Sequence, residues 1–397
     1  MTKLSLDDDL AQLGADLFDG LHRLSADGDG VTRGSYSASE NAAHLLFANC
    51  AARHGLKTWT DEACNTWIEL EGTDPNSPSV VLGSHLDSVR NGGNFDGAAG
   101  VVGGLLTMLL LRKAGPLRRS VRTVAFRGEE SAWFGTCYIG SRALVGSLTT
   151  AMLDGLSAEK MALREAMVEM GANLALIEAG QPLLDLASIA LYLELHIEQG
   201  PVLVAADIPL GAVTAIRGNV RYPAVEWRGQ SGHSGTVPRE LRRDAVFGVA
   251  RWLSEIETIW DEESEAGTDL VVTTGVLETD PMRHGVTRIA EYVRLSLDIR
   301  SADSATLRRV AERIEDQARM IASERGLTVE FGQQLETSPA SIDTSTRQAI
   351  LDAAELQGHG IMALPSGAGH DAAALAEVGI PVGMIFVRNE NGSHNPS

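Results

Sequence analysis

The 397-residue chain is 44% hydrophobic and 22% charged and carries 41 glycines, which excludes disordered and fibrous classes and predicts a globular α/β protein long enough for two cores. Its 53 acidic against 33 basic side chains give a formal charge of −20, which repels phosphate backbones and anionic lipid and excludes nucleic acid and membrane surfaces as partners. Cys50, Cys64 and Cys137 show neither a disulfide framework nor thiolate metal spacing, and the acidic start Asp7-Asp8-Asp9 has no secretory character, so a cytoplasmic setting is expected.

Apolar residues at helical spacing predict two opening helices, over residues 7–26 and 39–54. Strands are expected over 58–70 and 79–86, the second nearly all apolar, as in a strand buried on both faces. The glycine-rich stretch 91–104 leads into an apolar helix ending at residue 111, too short to cross a bilayer, which takes ~20 residues. A basic turn and a strand over 121–126 follow, then a helical pattern over 157–180 and a strand over 188–196.

From residue 211 the texture changes to strand 220–227, helix 240–260, strands 269–278 and 290–300, helix 305–325 and strand 327–332. A four-stranded sheet with two helices on one side, an α+β sandwich of ferredoxin-like topology, satisfies that order. The α/β pattern then resumes, with a strand over 382–387. The expected fold class is α/β, with a catalytic domain of residues 1–212 and 333–397 built on a mixed central sheet flanked by helices. The sandwich, 213–332, is inserted into it.

Chemistry-bearing residues collect at strand ends. His85 closes an apolar strand with Asp87 two residues on, placed to orient its ring, and Asp96 sits in a glycine-flanked loop able to offer an oxygen to each of two cations. Glu129 and Glu130 follow the next strand; beside a metal, adjacent carboxylates divide coordination from proton transfer. His196 lies in Glu194-Leu195-His196-Ile197-Glu198-Gln199-Gly200, and His394 in a loop after the last strand. His233 is flanked by glycines in Gly229–Thr236, where it offers an oxyanion donor or simply forms a hairpin turn. Singly, these residues read as polar strand ends and turns. Together, and apart from His233, which lies in the inserted domain and off this sheet, they bring nitrogen and oxygen ligands to one edge of one sheet, where open α/β sheets bind ligands and where such donors suit zinc, or manganese in a looser site.

In these motifs, from Gly30-Val31-Thr32-Arg33 through 83–97, 129–142, 195–203, 232–245, 297–300 and 366–372 to His394, the sequence resembles the zinc-dependent amidases of the M20 peptidase clan, in the hydantoinase/carbamoylase group. The resemblance implies a hydrolase of linear amide or ureido bonds, such as those of N-carbamoyl amino acids and related ureido carboxylates. It implies two divalent metal ions, one on His85, Asp96 and His196 and the other on Asp96, Glu130 and His394, with Glu129 as catalytic base and Asp87 behind it. Gln199, His233, Thr287, Arg300, Gly369 and His370 fall at substrate-binding positions. The inserted domain becomes a lid and dimerisation domain of a homodimer, with His233 and Arg300 contributed across subunits. Three departures stand out: Thr287 replaces an asparagine of the family pattern, Gly128 replaces Asn or Asp, and Trp133 replaces arginine. An aminoacylase or dipeptidase of the same clan is the competing enzyme reading; His196 opposes it, because such relatives carry a carboxylate there. A non-catalytic metal protein is the other alternative, opposed by Glu129.

Overall fold

The apolar segment Ser79–His85 forms a central strand of a mixed sheet. In a computed structural model of the chain, which describes residues 7–390, the polypeptide divides into two compact units, one of residues up to 214 together with those from 341, the other of 215–340.

In the first unit, Val382–Val387, Ile189–Ile197, Ser79–His85 and Val121–Phe126 lie side by side in that order and run parallel. Antiparallel strands flank them: Leu210–Ile216 beside Val382–Val387, then Thr66–Leu70 and Lys57–Thr60 beyond Val121–Phe126. Since the four central strands share a direction, their carboxyl ends fall along one edge. Register brings the ligand positions level, because Gly83 pairs with Glu194 and His85 and His196 each lie two residues further on.

Helix Ala98–Ala114 lies unusually close to the sheet. A Cβ on Gly100 would come within 2.3 Å of the Leu195 carbonyl oxygen, and one on Gly104 within 2.5 Å of Thr123 Cγ2, so glycine is required at both contacts. Val101, Leu105 and Met108 of this helix pack with Leu10, Leu17, Leu21 and Phe47 from the two opening helices, Asp8–Ser25 and Ala38–Arg53. Each such buried side chain stabilises the fold by roughly 1.5–3 kcal/mol.

The second unit has the predicted sandwich. Strands Gly218–Arg228 and Tyr292–Ser301 pair antiparallel at its centre, with Val271–Thr273 and Leu277–Thr279 outside the latter and Thr328–Phe331 and Leu335–Thr337 outside the former. Helices Ala245–Glu265 and Ser304–Arg325 enclose a core containing Trp227, Trp252, Val249, Leu295, Leu297, Val310 and Ile314.

Several elements differ from the sequence expectation. The strand expected over 58–70 is a hairpin, Lys57–Thr60 and Thr66–Leu70, because Asp61 gathers the Ala63 and Asn65 amides, the Asn65 side chain and the Trp67 indole into a turn. The helical pattern over 157–180 resolves into Leu163–Glu169 and Leu174–Glu178, separated at Gly171 with φ 97°. The helix expected from 240 begins at Ala245, where Asp244 caps it by accepting from the Val246 and Phe247 amides. Strand Leu335–Thr337 carries the second sheet beyond residue 332. Among the described residues no helix is long and apolar enough to cross a membrane.

Candidate metal centre

The carboxyl edge of the sheet brings His85, Asp96 and His196 together, all buried, with ligand atoms within 4.8 Å of one another. His196 Nε2 lies 3.2 Å from Asp96 Oδ1 and 3.4 Å from His85 Nε2, and His85 Nε2 lies 3.7 Å from Asp96 Oδ1. The other ring nitrogens are engaged: His85 Nδ1 is 3.1 Å from the Asp87 carbonyl oxygen and 3.3 Å from its Oδ1, and His196 Nδ1 is 2.9 Å from the Ile197 carbonyl oxygen. Since carbonyl oxygens only accept, both Nδ1 atoms carry a proton, which leaves the two Nε2 atoms, facing each other and a carboxylate, to take up a proton or a metal. Such an arrangement is repulsive unless a cation sits among them, so the donor set fits a divalent metal of zinc type.

The loop carrying Asp96 is shaped to the ring opposite. Gly97 has φ 62°, and a Cβ there would fall 2.5 Å from His85 ring atoms. Glycine meets both demands.

Glu129 and Glu130 follow strand Val121–Phe126 after Arg127 and Gly128, and Asp87 fixes both by their backbone. Its Oδ1 accepts from the Glu129 amide at 3.0 Å, and its Oδ2 from the Glu130 amide at 3.0 Å and the Ser35 hydroxyl at 2.7 Å. Glu129 Oε2 reaches to 3.9 Å of His85 Nε2. Burial pushes the Glu129 carboxyl well up, with neighbouring Glu130 adding to the shift and His85 opposing it. Burial, reinforced by Asp96, raises Glu130 to about 8. Burial alone would lower His85, but Asp87, Glu129 and Asp96 outweigh it and hold the imidazole well above its ordinary value. For Asp96, burial is overcome by His196 and His85, which keep it ionised. A cluster short of positive charge in this way is what a cation relieves.

The family model described as peptidase family M20/M25/M40 matches residues 81–397, which include every residue of this cluster. The chain belongs to that family. Within the M20 family it stands with the hydantoinase/carbamoylase amidases. It is 37% identical to an N-carbamoyl-L-amino acid amidohydrolase of Geobacillus stearothermophilus, over 93% of this chain and 88% of that one. An allantoate deiminase of Arabidopsis thaliana is 29% identical, over 95% of this chain and 77% of that one. A solved hydantoinase/carbamoylase family amidase from Burkholderia multivorans superposes with a TM-score of 0.88 at 28% identity, covering 99% of this chain and 92% of that one. This M20 chain is therefore a metal-dependent hydrolase of a linear carbon–nitrogen bond.

The remaining predicted residues of this M20 hydrolase fall in three places. Gln199 borders the cluster, its Nε2 3.4 Å from each Asp96 oxygen, on a left-handed backbone with φ 61° and with its Oε1 buried and unpartnered. His370, expected among substrate contacts, is fully buried beside the cluster, edge-on to His196 at 4.5 Å and bonded to Ser366 Oγ at 2.8 Å. Gly369 is where Tyr138 crosses, and a Cβ there would fall 1.4 Å from the phenol oxygen. In the second unit His233 is exposed, and its Nδ1 accepts from the Gly235 amide at 3.1 Å, leaving Nε2–H as a free donor. The Thr287 carbonyl accepts from Ser234 N at 2.9 Å, next to His233. Arg300 donates to Asp298 Oδ2 through Nε at 3.1 Å and Nη2 at 2.7 Å. His394 lies outside the described residues.

Two buttresses escaped sequence reasoning. Glu40 is fully buried and accepts from Gly128 N, directly ahead of the glutamate pair, from Tyr36 N and from Arg127 Nη1. The Ser37-x-x-Glu40 spacing marks a helix start, but nothing in it foretells the reach to Gly128. Glu194 ties Ser84 Oγ to the Ala372 amide, each at 2.9 Å, beneath the histidines; alternation placed it on the ligand face without indicating its partners.

Proposed function

We propose that this chain hydrolyses the ureido carbon–nitrogen bond of an N-carbamoyl amino acid, releasing the amino acid, ammonia and carbon dioxide. The observation that carries the reading is the convergence of two imidazole nitrogens and the Asp96 carboxylate beside the buried carboxylate of Glu129. The relatives named for N-carbamoyl-amino-acid hydrolysis supply the substrate class.

His85, Asp96 and His196 hold one divalent cation in this reading, and Asp96, Glu130 and His394 a second, zinc or else manganese. Bound there, the cations supply an acidified water and a polarised substrate carbonyl. Glu129 takes the proton from the attacking water and returns it to the departing nitrogen, a task suited to a carboxyl whose pKa burial has raised. Asp87 keeps that carboxyl in place. The Nε2–H of His233 stabilises the developing oxyanion, the Gln199 amide holds the carbamoyl group, and Arg300 grips the substrate carboxylate. Thr287 gives a shorter contact than the asparagine it replaces. The inserted unit serves as a lid and as the dimerisation surface of a homodimer, in which His233 and Arg300 act across subunits. A cytoplasmic location fits the lack of any disulfide among the described residues.

The test is ammonia release from N-carbamoyl-L- and D-amino acids, β-ureidopropionate, allantoate, ureidoglycolate and N-acyl amino acids by the zinc-loaded chain. Turnover of an N-carbamoyl amino acid above the others is expected. Preference for an N-acyl amino acid would replace the proposal with the aminoacylase reading.

A further inference from the structure

Arg33 is fully buried, yet the acceptors that surround it are neutral. Its Nε donates to the Leu86 carbonyl at 2.7 Å, and its Nη1 to Ser25 Oγ at 3.1 Å and Asn94 Oδ1 at 3.0 Å. Nη2 lies 3.4 Å from the Asn94 carbonyl oxygen. The backbone adds a reciprocal pair, with Arg33 N donating to Ser88 Oγ at 3.0 Å and Ser88 N donating to the Arg33 carbonyl at 2.8 Å.

These contacts have one pattern in the chain. Leu86 follows the ligand His85, Ser88 follows Asp87, and Asn94 precedes the ligand Asp96 by two residues. The segment between the two ligands is loop, from the end of strand Ser79–His85 to the start of helix Ala98–Ala114. Ordering such a loop costs roughly 1–2 kcal/mol of backbone entropy per residue, and a rigid planar fork with five donors is suited to meet that cost at several points at once. Asn94 extends the clamp by donating from Nδ2 to the Phe18 carbonyl at 2.9 Å, on helix Asp8–Ser25.

The charge has a place too. Burial lowers the Arg33 guanidinium to about 10 while Asp87, Asp96 and Glu40 hold it up, so it stays protonated at neutral pH and faces an acidic cluster.

We infer that Arg33 is a positioning residue for the metal centre, a buried cationic clamp that fixes the separation of His85 and Asp96 before any metal arrives. The inference rests on the reading of His85, Asp96 and His196 as metal ligands. Loss of the clamp leaves all ligands in the chain but lets the loop between two of them spread, so metal affinity falls without loss of a ligand.

The experiment is a competitive zinc titration of the full chain after chelator treatment, comparing the parent with Arg33→Lys and Asn94→Ala, with far-ultraviolet circular dichroism of each metal-free protein. Both variants are expected to weaken zinc binding by about 10–100-fold, the range for partners that orient metal ligands, with the metal-free spectrum of Asn94→Ala unchanged. If Arg33→Lys does not fold, Asn94→Ala decides. A folded variant binding zinc within twofold of the parent overturns the inference, even if it melts earlier, since a merely structural role lowers stability alone. A parent chain that binds no zinc overturns the metal reading itself.

Discussion

Asp87 holds Glu129 by its main chain: Asp87 Oδ1 accepts from the Glu129 amide at 3.0 Å, while the same oxygen stands 3.3 Å from Nδ1 of His85. One fully buried carboxylate thus sets the tautomer of His85 and the position of Glu129, the base in the proposed reaction. Its second oxygen holds Glu130 N and Ser35 Oγ. Asp87→Ala orphans two buried amides, at roughly 1–3 kcal/mol each, and frees the His85 ring. Activity and zinc affinity should each fall about 10–100-fold, read by steady-state kinetics and zinc titration. A drop in thermal stability alone would leave Asp87 a purely structural residue.

Glu129→Gln keeps the shape of the side chain and its backbone bond to Asp87 but removes the proton acceptor. Turnover should fall by about 10²–10⁴-fold while metal content, measured by atomic emission, stays at the parent value. A variant of near-parent activity would move the base elsewhere.

The pH dependence of the metal-free chain follows from Glu130. Burial and Asp96 raise its folded value from 4.5 to about 8, so between those values the folded state keeps a proton that the unfolded chain releases. The corresponding stability is fully present below the unfolded value and is lost as pH rises through the folded one. Thermal melts of chelator-treated protein should therefore show a lower Tm at pH 8 than at pH 5, with a smaller drop in Glu130→Gln. An equal drop in the variant would assign the effect to another group.

Gly97 carries a steric prediction. With φ 62° and a Cβ position 2.5 Å from the His85 ring, Gly97→Ala combines a backbone cost of order 1–3 kcal/mol with displacement of a ligand. Loss of zinc binding is expected together with a lower Tm; parent-like zinc affinity would show that the ring has room to move.

Much of this site was legible in the sequence, and the reason is topological. His85, Glu129, Glu130 and His196 each follow or end a strand in a pattern of alternating strands and helices, and parallel strands gather their carboxyl ends at one edge. The order of strand and helix in the inserted unit was likewise sufficient for its sandwich, because apolar alternation specifies which faces are buried. Turns were less legible. Asp61 breaks an apparently continuous strand through side-chain hydrogen bonds that periodicity does not register. The supports Arg33, Glu40 and Glu194 were missed for a related reason: each is a charged residue in an ordinary helical, strand or loop context, and the bonds that tie it to the site span 53 positions for Arg33 to Leu86 and 88 for Glu40 to Gly128.

In the proposed reaction the strand-end cluster is a metal centre that drives hydrolysis of an N-carbamoyl amino acid. The most direct measurement is ammonia release from that substrate by the chelator-treated chain as zinc is added back. No turnover is expected without metal, with activity rising to a plateau near two equivalents per chain; turnover in the stripped protein, or tight zinc binding with no ammonia released at any loading, would overturn the proposed reaction.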